Sequence, residues 1–90
     1  MPRKKIAGRK SYLEQQIKAI PIATQAAGWK SNFDAEMALG ITYNMWKRYQ
    51  RGSVVMQPEH LWTRARYNAS VRRFATVLFA TIWEAMWTAY

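Results

Sequence analysis

The chain contains no cysteine, which excludes disulfide bridges and thiolate metal sites. Its one histidine, His60, cannot build a metal site without carboxylates, and acidic residues number only five in 90 positions. No carboxylates are paired at a useful spacing, no nucleophile has a base beside it, and no glycine loop has the form that cradles phosphate. The expectation is a non-enzyme with no cofactor, no metal and no small-molecule substrate; His60, next to Glu59, reads as part of a helix start. Strand signals are missing too: alternation is absent and the short apolar runs are rich in alanine. There are no internal repeats and no low-complexity tract. The charged N-terminus is not followed by a long apolar run, so no secretory signal is expected. What remains is an all-α reading, a bundle of five or six helices in a single domain.

Positive charge is plentiful. Fourteen Lys and Arg against five Asp and Glu give a formal net charge of +9 and a pI near 10.4. A balance of this sign favours a polyanionic partner: DNA, RNA or an anionic membrane surface. Part of the charge is concentrated in residues 1–10, where Arg3, Lys4, Lys5, Arg9 and Lys10 stand among a proline and a glycine without helical periodicity. This segment reads as a basic arm, and residues 11–90 as the domain.

Helix signals follow along the chain. Ser11 with Glu14 forms a capping box, and Tyr12, Leu13, Ile17 and Ile20 share one face of the helix it opens. Pro21 is expected to interrupt or end that helix, with a short stretch from Ile22 to Ala27 stopping at Gly28. Ser31 or Asn32 caps the next helix, which has Asp34 in its first turn, turns Phe33, Met37 and Ala38 inward and ends at Gly40. Thr42 caps a helix that runs to Arg51 and stops at Gly52. Pro58 opens another, with Leu61, Trp62, Ala65 and Ala69 on its apolar side. The last helix occupies about residues 70–90.

The helix from Thr42 to Arg51 carries the functional signal. At 3.6 residues per turn, Met45, Trp46 and Tyr49 fall on one side, continuous with Leu39 and Ile41. Tyr43, Asn44, Lys47, Arg48 and Arg51 fall on the other. One face packs and the other offers hydrogen bonds and positive charge, as a helix entering the major groove requires. The segment LGITYNMWKRYQRG, Leu39 to Gly52, resembles the turn and recognition helix of the lambda-repressor/Cro family, and Pro58 fits the way that family opens its next helix. In the family an apolar residue and then an alanine stand four and three positions before the Leu of the turn; here those positions are Ala35 and Glu36. The resemblance implies a helix-turn-helix repressor, with Trp46 and Tyr49 in the core.

Roles follow from side-chain chemistry. Asn44 suits bidentate pairing with adenine, Tyr43 base stacking, a thymine methyl or a phosphate, and Lys47 guanine or a phosphate. Arg48 and Arg51, further along the helix, suit phosphates, as do Thr42 and the helix start at Lys30, Ser31 and Asn32. Arm residues such as Arg3 or Arg9 suit a narrow minor groove.

The final helix is apolar nearly all round, with a thin polar stripe of Thr76, Glu84 and Thr88. A second copy of the chain is the economical cover, with Phe74, Leu78, Phe79, Ile82, Trp83, Met86 and Trp87 as candidate contacts. Arg72 and Arg73 before the apolar run imitate a membrane anchor, but Glu84 within it argues against spanning. The reading is therefore a homodimeric, sequence-specific binder of double-stranded DNA, a repressor of phage, plasmid or bacterial type in the cytoplasm, at the nucleoid. Two alternatives stand beside it: a cationic membrane-associated protein with a Trp-rich C-terminal helix, and a phage-type helical inhibitor of a host protein complex.

Overall fold

The computed structural model describes residues 9–88. Five helices account for most of them: α1 (Arg9–Ala27), α2 (Asn32–Leu39), α3 (Tyr43–Arg51), α4 (Pro58–Ala65) and α5 (Ala69–Thr88). No strand occurs among the described residues, so the fold is all-α. No helix among them is long and apolar enough to cross a membrane.

Local chemistry sets most of the boundaries. Ser31 Oγ accepts from the Asp34 N–H at the start of α2, and Thr42 Oγ1 from the Met45 N–H at the start of α3. Asn68 Oδ1 accepts from the backbone N–H of Ser70 and Val71 at the start of α5. Three helices close on glycine by the same device. In α3, Gly52 donates to Tyr49 O and Ser53 to Arg48 O, bonds that need the left-handed backbone at Gly52 (φ 75°). α4 starts at Pro58, where no N–H is required.

Two expectations about α1 are corrected. Arg9 and Lys10 are already helical, so Ser11 lies inside the helix and does not cap it. Pro21 does not divide the helix: α1 runs through it as one element. Pro21 sits on the exposed side, and its carbonyl accepts from Thr24 Oγ1 at 2.8 Å. The buried stripe of Gln16, Ala19, Ile20, Ala23 and Ala27 continues on both sides of the proline. Packing along that stripe outweighs the one backbone bond that a proline forfeits.

α5 is the partner of that stripe. Trp29, just past the end of α1, stacks on Phe74 near the start of α5 (centroids 4.7 Å, planes 25° apart) and donates from Nε1 to Ser70 Oγ. α5 therefore begins where α1 ends and runs back along it, burying Val71, Phe74, Ala75, Leu78 and Ile82. α4 packs on its other flank through Leu61 and Ala65. α2 and α3 close the end of this frame, with Trp46 edge-on to Trp29 and tilted against Phe74.

Several large apolar residues do not lie where the sequence pattern puts them. Phe33 and Met37 are 64% and 65% exposed; α2 instead buries Ala35 and Leu39. Ile17 is also exposed, and Trp62 is 42% exposed although it rests near Phe79. Ala69 is exposed as well. In α2 and α4 the inward positions are held by Ala35, Leu39, Leu61 and Ala65, and the alanines among them let helix axes approach more closely than a bulky side chain would.

Candidate nucleic-acid interface

α3 is amphipathic in the sense that matters for groove binding. Trp46 is buried and Met45 and Tyr49 are half-buried. Tyr43, Asn44, Arg48 and Arg51 are exposed, and Lys47 is half-buried, with its Nζ 5.7 Å from the centre of the Tyr43 ring. The ammonium over that aromatic face holds the two side chains together at the start of the helix, beside Asn44. Tyr43, Asn44 and Lys47 therefore form one group, and Arg48 and Arg51 continue it toward the helix end.

Three attachments fix the direction of that face. Trp46 Nε1 donates to Asn32 Oδ1 at 2.9 Å, tying α3 to the first residue of α2. The turn between the helices passes beneath Arg64 of α4, whose Nε donates to Ala38 O at 3.3 Å. A Cβ on Gly40 would come within 2.7 Å of the Arg64 guanidinium carbon, and the backbone there is left-handed (φ 67°). The far end of α3 is held by Gln16, which is fully buried. Its Nε2 donates to Tyr49 O and Val54 O, and its Oε1 accepts from the Met56 N–H, at 2.9–3.0 Å. All of its amide partners lie on the end of α3 or in the loop that follows.

The expected phosphate ligands at the start of α2 are brought together, with two of them already engaged. Lys30, Ser31 and Asn32 are exposed and line a cleft of about 300 Å³ with Thr24, Trp29, Trp46 and Gln50. The Asn32 carbonyl oxygen serves Trp46 and the Ser31 hydroxyl serves Asp34. Asp34 Oδ2 also accepts from the Lys30 N–H at 2.8 Å, placing a carboxylate where an incoming phosphate would be drawn. Of the three, the Lys30 ammonium is the group best suited to an anion. Thr42 is exposed and engaged as the N-cap of α3.

Of the arm residues, Lys10 is exposed at the start of α1 and Arg9 belongs to that helix; Arg3, Lys4 and Lys5 lie outside the described residues. Of the residues expected to meet a second copy, Phe74, Leu78 and Ile82 are closed inside the chain's own core and have no surface to offer. Phe79 and Met86 are half-buried, while Trp83 and Trp87 are 68% and 69% exposed. Sequence reasoning passed over Gln16, Trp29 and Gln50. Trp29 carried a readable signal, a large apolar residue directly after the glycine that closes a helix. Gln50, one turn beyond Trp46, turns its Oε1 into the cleft wall, where it is buried without a hydrogen-bond partner.

Comparison of the chain with family models, curated proteins and solved structures returns no match.

Proposed function

We propose that this chain binds double-stranded DNA with sequence preference, with α3 in the major groove. The observation that carries the reading is the division of α3: Trp46 is anchored in the core while Tyr43, Asn44, Arg48 and Arg51 face solvent on the same two turns. Asn44 reads adenine, Tyr43 and Lys47 contact neighbouring base edges, and Lys30, Arg48 and Arg51 hold phosphates. The net charge of +9 draws the chain to the duplex before any base is read. The resemblance of Leu39–Gly52 to the lambda-repressor/Cro turn and recognition helix supports the same placement. The biological role that follows is transcriptional repression at a pseudo-palindromic operator by a phage-, plasmid- or bacterial-type regulator at the nucleoid. Occupancy would block polymerase, and the concentration of the chain would set the response.

Selection of bound fragments from genomic DNA, followed by titration of the enriched site, tests this. Asn44→Ala is expected to weaken the enriched site by about 1–3 kcal/mol and to relax preference at one position. Lys47→Ala is expected to weaken the site as well. If both variants bind that site as tightly as the parent chain, α3 is not the reading element.

A further inference from the structure

α5 buries one face against α1 and α4, and its opposite face carries a second pattern. Thr76, Ala80 and Trp83 with Trp87 follow one another at spacings of four, three and four residues. All four are exposed, and the two indoles stack on each other with centroids 6.0 Å apart and planes 16° apart. That spacing traces one seam along a helix, the a/d line of a coiled coil. Stacked, two-thirds-exposed tryptophans on such a seam are a contact surface awaiting a partner.

The seam is uneven, and the unevenness identifies the partner. Two small residues come first and two of the largest follow. A parallel copy in register would set tryptophan against tryptophan and leave a gap between the threonines and alanines. An antiparallel copy, related by a two-fold axis passing between positions 81 and 82, sets Ala80 opposite Trp83 of the other copy and Thr76 opposite Trp87. Small then faces large at every layer, as close packing and a self-complementary contact both require. The border fits the same register: half-buried Phe79 of one copy comes to half-buried Met86 of the other, with Trp62 extending the edge beside Phe79. Aromatic side chains bury about 150–250 Å² each. The exposed parts of three tryptophans with the small residues between them offer roughly 500 Å² per copy, about 1,000 Å² for a pair, the lower bound of a specific interface.

We propose that this face of α5 is a two-fold, antiparallel homodimer seam in which Ala80 and Thr76 receive Trp83 and Trp87 of the other copy. The inference rests on the DNA-binding reading only for why two copies are needed; the surface itself is independent of it.

Sedimentation equilibrium without DNA tests the seam and its register. The parent chain is expected to dimerise, and Ala80→Trp or Trp83→Ala to raise the dimer dissociation constant about tenfold or more. The double variant Ala80→Trp/Trp83→Ala exchanges knob and hollow and is expected to recover most of the loss. Circular dichroism melts check that each variant folds, which the exposure of both positions favours. A parent chain that stays monomeric up to about 100 µM, a concentration at which an interface of this size should be populated, overturns the proposal. So does a double variant no better than Ala80→Trp alone, or a monomer that floats with phosphatidylglycerol vesicles instead. Because no DNA is present, each of these failures leaves the assignment of α3 standing, and the Asn44→Ala titration reports on α3 alone.

Discussion

Gln16→Leu keeps the volume of the side chain and removes every hydrogen bond it makes. Val54 O and the buried Met56 N–H would then lose the partner Gln16 gives them, while Tyr49 O keeps its bond from the Gly52 N–H. A buried polar group left unpaired costs about 1–3 kcal/mol, and relaxation of the loop spares part of two such losses. Urea unfolding is expected to show a loss of about 2–4 kcal/mol, with an unchanged denaturant slope. Helical spacing separates Gln16 from Gln15, since Gln16 lies four residues from Tyr12 and Ile20 and three from Leu13, but its backbone partners are set by the packed neighbours and are not legible in the sequence. Tyr12 presents the reverse case. Its hydroxyl is buried without a partner, and burial raises its pKa above 10.0; Tyr49 is raised for the same reason. Below pH 10 the folded and unfolded chains both hold these protons. Above it the unfolded chain ionises while the fold resists, so stability falls as pH rises from about 10 through the higher folded values. Tyr12→Phe is expected to leave the melting temperature at pH 7 unchanged or higher, and to reduce its fall between pH 9.5 and 11. Tyr49 retains its share of the alkaline loss. An unaltered alkaline fall in the variant would mean that Tyr12 takes no part in it.

Among the elements, α1 shows most clearly what pattern can and cannot reveal. A mid-helix proline forfeits one backbone bond and crowds the preceding turn, so a break after Ile20 is the reasonable expectation. The helix survives because Ala19, Ile20, Ala23 and Ala27 lie against α5 on both sides of Pro21. Pro21→Ala restores the bond to the Ile17 carbonyl at an exposed position and is expected to raise stability by about 1–2 kcal/mol, less than the full proline penalty because the unfolded chain also gains freedom. Thermal melting checks it, and a lower melting temperature would mean that the proline itself is needed for the fit of α1 to α5. Caps and stops were legible: Ser31, Thr42, Pro58 and the glycines at 28, 40 and 52 act through bonds within a few residues of themselves. The inward faces were less so. Phe33, Met37, Ile17 and Trp62 are large and apolar and stand outside, while Ala23, Ala35, Ala65 and Ala75 are buried. Ranking residues by size misplaces the stripe wherever close helix approach selects alanine. α3 escaped this error because a single large anchor, Trp46, faces a fully polar opposite side.

For the whole molecule, charge and copy number meet in one measurable quantity. Each phosphate neutralised releases counterions, so the logarithm of the duplex affinity falls with the logarithm of salt at a slope of about −0.9 per phosphate. One copy holding phosphates with Lys30, Arg48 and Arg51 would show a slope near −3, and a four-fold rise in salt would weaken it roughly 40-fold. Two copies joined through α5 on one operator double the contacts, giving a slope between about −5 and −6 and a loss of roughly a thousandfold over the same range. Any phosphates held by basic residues of the N-terminal segment would steepen both slopes without changing the ratio between them. Arg51→Ala is expected to flatten the slope by about two for a pair and by about one for a single copy. Asn44→Ala should lower affinity for the preferred site and leave the slope as it was, since a base contact displaces no counterion. Titrations of the parent chain, Arg51→Ala and Trp83→Ala at several salt concentrations therefore separate the two surfaces. If α3 binds phosphate and α5 pairs the copies, Arg51→Ala flattens the slope while binding remains paired. Trp83→Ala roughly halves it while the contacts of each copy persist. A slope near zero in the parent chain would mean that its net charge of +9 is not directed at a phosphate backbone.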